Sequence, residues 1–112
     1  MIKINKLDTI TNLFEGNEIR NVRDSEKEDY YFSVVDVISA LTNNKYDKSR
    51  NYWKWLKNKL IDEGSQLVSD TNRLKMKSLK DGKNYLTDVL DTKGIFRLIE
   101  SVPSKKAEPF KV

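Results

Sequence analysis

Two segments of the chain have the pattern of β-hairpins, one from its turn residues and one from alternating apolar and polar positions. Thr11–Phe14 and Ile19–Arg23 flank a polar turn and predict a β-hairpin, and the aromatic run Tyr30–Phe32 predicts a short strand after it. Arg73–Leu90 predicts a second hairpin, with Asp81-Gly82 as a two-residue turn. The alternating apolar positions of this hairpin are Leu74, Met76, Tyr85, Thr87 and Val89.

A first helix is predicted directly after the short strand. Ser33 has the chemistry of an N-cap, Asp36 stands in the capping-box position, and Thr42–Asn44 ends the helix. One apolar stripe runs along it through Val34, Val37, Ile38 and Leu41.

A second helix is predicted over Lys48–Glu63, with Asp47 as its N-cap and Gly64 as the residue that stops it. Its apolar stripe consists of Trp53, Leu56 and Leu60, with Tyr52 beside them.

A third helix follows Asp91 and ends at Pro103, and Ser104 is the expected cap of a fourth, unfinished helix. The buried face of the third helix consists of Ile95, Leu98, Ile99 and Val102. The order β-β-β-α-α-β-β-α-(α) predicts an α+β fold, in which two hairpins and a short strand form a small, mostly antiparallel sheet packed with three to four helices. We expect residues 1–112 to form a single domain, the N-terminal fragment of a longer protein.

The absence of Cys and His restricts the chemistry of the chain. No disulfide, thiol nucleophile or histidine-dependent catalytic triad is possible. No run approaches the roughly 18 apolar residues of a membrane span. We therefore expect a cytoplasmic protein that is not an enzyme, has no membrane partner and needs no metal or cofactor.

The charge is unevenly distributed along the chain. Lys and Arg number 21 against 17 Asp and Glu, a net charge of +4. Lys45–Lys83 carries 11 basic and 5 acidic residues, whereas Glu15–Asp29 is acidic. This segregation favours an anionic partner for the middle segment, although a solvated lysine-rich helix face has the same composition.

Two elements of the basic segment supply candidate nucleic-acid-binding residues. A basic helix with Trp55 off its core stripe suits phosphate contacts and base stacking, for which Tyr46 is a second candidate. On the hairpin, strand alternation gives the basic residues a shared outward face. The alternatives are that Trp55 covers a neighbouring loop and that the lysines protect an edge strand. The candidate residues are Lys48, Arg50, Lys54, Trp55, Lys57, Arg73, Lys75, Lys77 and Lys80.

No group of residues predicts catalysis. The Asp-x-Lys triplet of some metal-dependent nucleases occurs at Asp81/Lys83 and Asp91/Lys93, which is about as often as chance predicts from this composition. The acidic loop Asp24–Asp29 lacks the glycine and the regular spacing of an EF-hand. A metal-dependent nuclease is therefore only a minor alternative.

Several short motifs, taken in their order, resemble one family. They are Tyr31–Val37, Tyr52–Lys57, Leu74–Met76, Leu86–Asp88 and Pro103–Lys111. Together they resemble the Bro-N domain, the N-terminal domain of the BRO family and of many phage antirepressors. Within that family, the Tyr-Phe-Ser-Val, Tyr-Trp and Lys-Ala-Glu-Pro-Phe-Lys pattern is most similar to the DNA-damage-inducible protein D group.

The resemblance implies a non-catalytic DNA-binding domain, attached to a variable C-terminal domain, in bacteria, phages or large DNA viruses. The expected partner is DNA, contacted through its phosphates, and the expected location is the bacterial nucleoid. The alternative is a protein-interaction module that binds a repressor or a recombination protein through the acidic Glu15–Asp29 loop. The residues leave the oligomeric state open.

Overall fold

The structure is a computed structural model, and it describes residues 18–78 and 80–103. In this part of the chain, four strands form one antiparallel sheet in the order β1-β2-β4-β3. Together with four helices they confirm the predicted α+β fold. The elements are β1 Asn21–Asp24, β2 Asp29–Ser33, α1 Val34–Thr42, α2 Tyr46–Asp62, α3 Gln66–Ser69, β3 Asn72–Lys77, β4 Asn84–Leu90 and α4 Thr92–Ser101.

Two predicted elements lie outside the described residues, and one described element was not predicted. The predicted strand Thr11–Phe14 and the predicted fourth helix after Ser104 lie outside the described residues. The single turn α3 was not predicted. Ser65 caps it by accepting a hydrogen bond from the Leu67 amide at 3.2 Å, and Leu67 is buried in the core.

Helix α1 begins as predicted, but only one of the two hydrogen bonds of the predicted capping box forms. The Ser33 hydroxyl accepts a hydrogen bond from the Asp36 amide at 3.3 Å, which confirms Ser33 as the N-cap. The Asp36 carboxylate does not return to the Ser33 amide, because that amide donates to the Arg20 carbonyl at 3.0 Å. Asp36 instead accepts hydrogen bonds from the backbone and side chain of Arg20.

Helix α2 begins two residues earlier than predicted and ends near the predicted position. Its N-cap is Lys45, so Asp47 is in the first turn, where a carboxylate is favoured by the helix dipole but does not cap. Gly64 has φ +68°, as its role after the C-cap requires. The Gly64 amide donates to the Ile61 carbonyl at 3.0 Å, and the Ser65 amide donates to the Leu60 carbonyl at 2.9 Å. These two hydrogen bonds are the Schellman motif.

The second hairpin is confirmed, but its turn is longer than two residues. Strand β3 ends at Lys77 and β4 begins at Asn84. Beyond the ends of both strands, the Ser78 amide donates to the Lys83 carbonyl at 2.8 Å. Gly82 takes φ +74°, and its amide donates back to the Ser78 carbonyl at 3.0 Å.

The core confirms the predicted apolar stripes of α1, α2 and α4. Asp91 caps α4 by accepting from the Gly94 amide at 2.8 Å, and this helix ends two residues before Pro103. The buried side chains of the three stripes are Val34, Val37, Ile38, Leu41, Trp53, Leu56, Leu60, Ile95, Leu98, Ile99 and Val102.

We expect Gly64→Ala to lower the free energy of unfolding by about 1 kcal/mol, because a Cβ disfavours positive φ even where no described atom lies within 4 Å. Gly64→Asn should cost less, since asparagine tolerates the left-handed conformation. Urea unfolding measures both. Glu63→Ala, at an exposed right-handed position, is the control and should change stability by less than about 0.5 kcal/mol. Equal losses at the two positions would contradict the expectation.

Candidate nucleic-acid interface

A cleft runs between the N-terminal half of α2 and strand β4. Its larger part has a volume of about 760 Å³, and its smaller part has a volume of about 270 Å³. The two parts are adjacent, since Tyr46, Arg50, Leu86 and Thr87 line both. The predicted basic helix and basic hairpin therefore face each other across one concave surface.

Asp88 on β4 joins the helix to the hairpin. One of its carboxylate oxygens accepts hydrogen bonds from Trp53 Nε1 at 2.8 Å and Lys57 Nζ at 3.0 Å, and the other accepts from Arg73 Nε at 3.2 Å. Burial alone would raise the pKa of Asp88, but the hydrogen bonds from Trp53 and Lys57 outweigh it and hold the pKa below its ordinary value of 3.8. Asp88 is therefore ionised at neutral pH and stabilises the cleft.

Arg20 is the second anchor. Its guanidinium donates to Asp36 from Nε at 2.8 Å and from Nη2 at 3.2 Å, and from Nη1 to the Lys77 carbonyl at 3.1 Å. It also lies over the Tyr46 ring at 5.6 Å. Although burial opposes it, the contact with Asp36 raises the pKa of Arg20 above its ordinary value. Arg20 thus links α1, the end of β3 and the start of α2.

Helix α2 presents its cations on two different sides. Arg50, Lys54 and Lys57 line the cleft. At 100° per residue, Lys48 and Trp55 lie roughly 140–160° around the helix axis from Arg50. The structure therefore separates these two predicted residues from the others.

Trp55 is 56% exposed. Among the described residues, its ring contacts are within its own helix, with the Tyr52 ring at a centroid distance of 5.7 Å and with Lys59 Nζ at 5.5 Å from the Trp55 ring.

The hairpin cations share one face, as the alternation predicts. Arg73, Lys75 and Lys77 are exposed while Met76 is buried. Arg73 is opposite Asp88 and Lys75 is opposite Leu86, so their side chains flank the cleft. However, β3 is an edge strand of the described sheet, and protection of that edge explains the same lysines.

The lining of the cleft is positively charged. Seven Lys and Arg side chains line its two parts, against three Asp. Lys80 reaches across its mouth to Asp47, with Nζ and Oδ2 3.6 Å apart. The predicted binding residues that line the cleft are Arg50, Lys54, Lys57, Arg73 and Lys80.

Sequence reasoning did not identify Arg20 and Asp88 as parts of this site. The hydrogen-bond partners of Asp88 lie 15 to 35 residues away in the sequence. Arg20 and its Lys77 partner are 57 residues apart. Neither residue stands in a local pattern that predicts such a contact.

The sequence matches Bro-N, the BRO family N-terminal domain, over residues 18–112. The chain belongs to the BRO family. Bro-N is a family of regulatory DNA-binding domains and is not known as an enzyme family. No curated protein and no solved structure matches the chain.

The carboxylates of the nuclease alternative have structural roles in this Bro-N domain. Asp81 accepts hydrogen bonds from the Tyr85 hydroxyl at 2.6 Å and the Lys83 amide at 2.8 Å, and Asp91 caps α4. Within residues 18–78 and 80–103, no group of three or more Asp and Glu could hold a metal ion. Nor is any helix in these ranges long and apolar enough to cross a membrane.

We expect Asp88→Asn to lower the free energy of unfolding of the Bro-N domain by about 2 kcal/mol at neutral pH, because three donors then lose a charged acceptor. Asp47→Asn is the matched control. Its pair with Lys80 is exposed, with side-chain exposures of 71% and 82%, so it should change stability by less than about 0.5 kcal/mol. Chemical denaturation measures both variants.

The same comparison has a defined pH dependence. Because the folded-state pKa of Asp88 is lowered, its ionised form stabilises the fold above pH 3.8, and this contribution is lost as the pH falls through the folded-state value. The stability difference between the native protein and Asp88→Asn should therefore shrink below about pH 4. A difference that stays constant from neutral pH to pH 2 would contradict this assignment.

Proposed function

We propose that this Bro-N domain binds DNA without catalysis, through the cleft and the hairpin face beside it. The observation that carries the proposal is the meeting of two basic elements. Arg50, Lys54 and Lys57 of α2 line the same cleft as Arg73 and Lys80, although residues 58–72 separate the two groups in the sequence. A concave basic surface attracts a polyanion, and DNA is the polyanion that the family favours.

Different cations have different parts in this proposal. Lys57 and Arg73 share the charge of Asp88, so they hold the helix and hairpin in register more than they attract phosphate. Arg50, Lys54, Lys75 and Lys77 make no ion pair with another described residue. These four side chains are the main phosphate contacts. Because phosphate contacts release counterions, the affinity should fall steeply with salt.

A pair of double variants tests this assignment on one helix. Arg50→Ala/Lys54→Ala should weaken binding to a labelled duplex at least about tenfold at low salt, and should reduce the slope of log K against log salt by about 2. Lys48→Ala/Lys59→Ala removes the same charge from the opposite side of α2. Its affinity should stay within about threefold of the native value. Fluorescence anisotropy at two salt concentrations measures both quantities.

Three results would overturn the DNA proposal. They are the absence of duplex binding at low salt, binding that does not depend on salt, and equal losses in the two double variants. The last result would show that only the net charge of the domain matters, and not the cleft.

A finer placement within the family is part of the proposal. The motifs Tyr31–Val34, Tyr52-Trp53 and Lys106–Lys111 support the DNA-damage-inducible protein D group. A member of that group would regulate a response to DNA damage, in a bacterium or phage, at the nucleoid. Expression of the chain before and after DNA damage in its host tests this placement, and unchanged expression would contradict it.

A further inference from the structure

We propose that the open edge of β4 binds an extended, acidic peptide segment of a partner protein, which adds to the sheet as a further strand. This peptide site lies in the same cleft as the phosphate contacts and shares Arg50 with them. It rests on the sheet pairing, on the exposed side chains beside the edge and on the charge around it.

One edge of strand β4 is paired with another strand along only part of its length. On one side it pairs with β3 from Asn84 to Val89. On the other side it pairs with β2 only through Val89 and Leu90. Within the described chain, Asn84–Asp88 therefore has no strand on the β2 side.

The alternation of hydrogen-bonded residue pairs along the hairpin shows which backbone groups of β4 face this open side. The Ser78 amide donates to the Lys83 carbonyl at 2.8 Å, so the odd-numbered residues of β4 direct their backbone groups toward β3. Leu86 and Asp88 direct theirs the other way, into the cleft that both residues line. A segment lying in the cleft can pair with them.

The two free edges of the hairpin differ in their side chains. The edge of β3 carries Arg73, Lys75 and Lys77, which discourage another strand from pairing. The open stretch of β4 carries Tyr85 and Leu86, which are 50% and 63% exposed. Among the described residues, three of the six exposed large hydrophobic side chains line this cleft: Tyr46, Tyr85 and Leu86. They provide apolar contacts for alternate side chains of an added strand.

Charge and backbone chemistry together indicate the occupant. Lys45, Arg50 and Lys80 line the cleft beside this edge, so an acidic segment is electrostatically favoured. The open edge offers carbonyl acceptors as well as amide donors. A peptide backbone pairs with both, whereas the sugar-phosphate backbone of DNA has no donor for the Leu86 carbonyl. An acidic peptide therefore fits this edge better than a DNA strand does.

Selective N-methylation of a probe tests strand addition without altering the protein. The probe is a short fluorescein-labelled peptide of alternating glutamate and valine. Methylating one alternate set of its amides should weaken binding at least about tenfold, because those amides pair with β4, whereas methylating the other set should have little effect. On binding, hydrogen exchange of the Leu86 and Asp88 amides should slow.

A protein variant tests the apolar contact of the peptide. Leu86→Thr should weaken peptide binding about fivefold, since it removes apolar contact beside the edge without changing charge. Val22→Thr, at another exposed strand position, is the matched control and should affect neither ligand.

Four results would overturn the peptide proposal. The first two are no binding of the glutamate-valine peptide and equal effects of the two methylation patterns. The others are equally tight binding of a lysine-valine peptide, and slowed hydrogen exchange of the Leu86 and Asp88 amides with a single-stranded oligonucleotide but not with the peptide. If the peptide does not bind but the duplex does, the DNA proposal stands and the peptide proposal is overturned. If the peptide binds but the duplex does not, the peptide proposal stands and the DNA proposal is overturned.

Discussion

The width of the basic cleft depends on the carboxylate of Asp88. Two donors from α2, Trp53 and Lys57, and one donor from β3, Arg73, converge on its two oxygens. Hydrogen bonds to an ionised acceptor are shorter and stronger than neutral ones, and in this place they overcome the cost of burial. One side chain therefore holds the basic helix at a fixed distance from the basic hairpin. Arg20 acts in the same way at the other end, where its contacts with Asp36 and Lys77 hold the start of α1 against β3.

These anchors also reduce the positive charge of the site that they organise. Asp88 offsets charge from Lys57 and Arg73, and Asp36 offsets that of Arg20. The remaining attraction for an anion comes from cations without an ion-pair partner among the described residues, such as Arg50 and Lys54. The cleft thus combines rigid cations that set its geometry with solvated cations that supply its field. This division explains why a net charge of only +4 still gives a distinctly basic surface.

The open edge of β4 follows from the way the chain leaves the sheet. Strand β2 ends at Ser33, which is also the N-cap of α1, so the chain turns into a helix after only two residues have paired with β4. The unpaired stretch of β4 then borders the cleft instead of another strand. A surface for phosphates and an edge for a peptide strand therefore lie side by side. A partner bound at the edge would approach the same Arg50 and Lys80 that a duplex contacts, so the two ligands would compete.

The sequence by itself determined the features that depend on neighbouring residues: the caps at Ser33 and Asp91, the left-handed Gly64 and the buried stripes of α1, α2 and α4. These depend on contacts within about one helical turn or on the period of one element. Its errors were also local. Asp47 has good cap chemistry but lies in the first turn of α2, and the predicted two-residue turn Asp81-Gly82 is part of a longer connection between β3 and β4. Only the tertiary structure decided that Arg50 faces the hairpin while Lys48 and Trp55 face away, and that Asp88 joins the two elements. The rotation of a helix relative to a strand is fixed by packing between residues far apart in the chain, and no pattern along the chain records it.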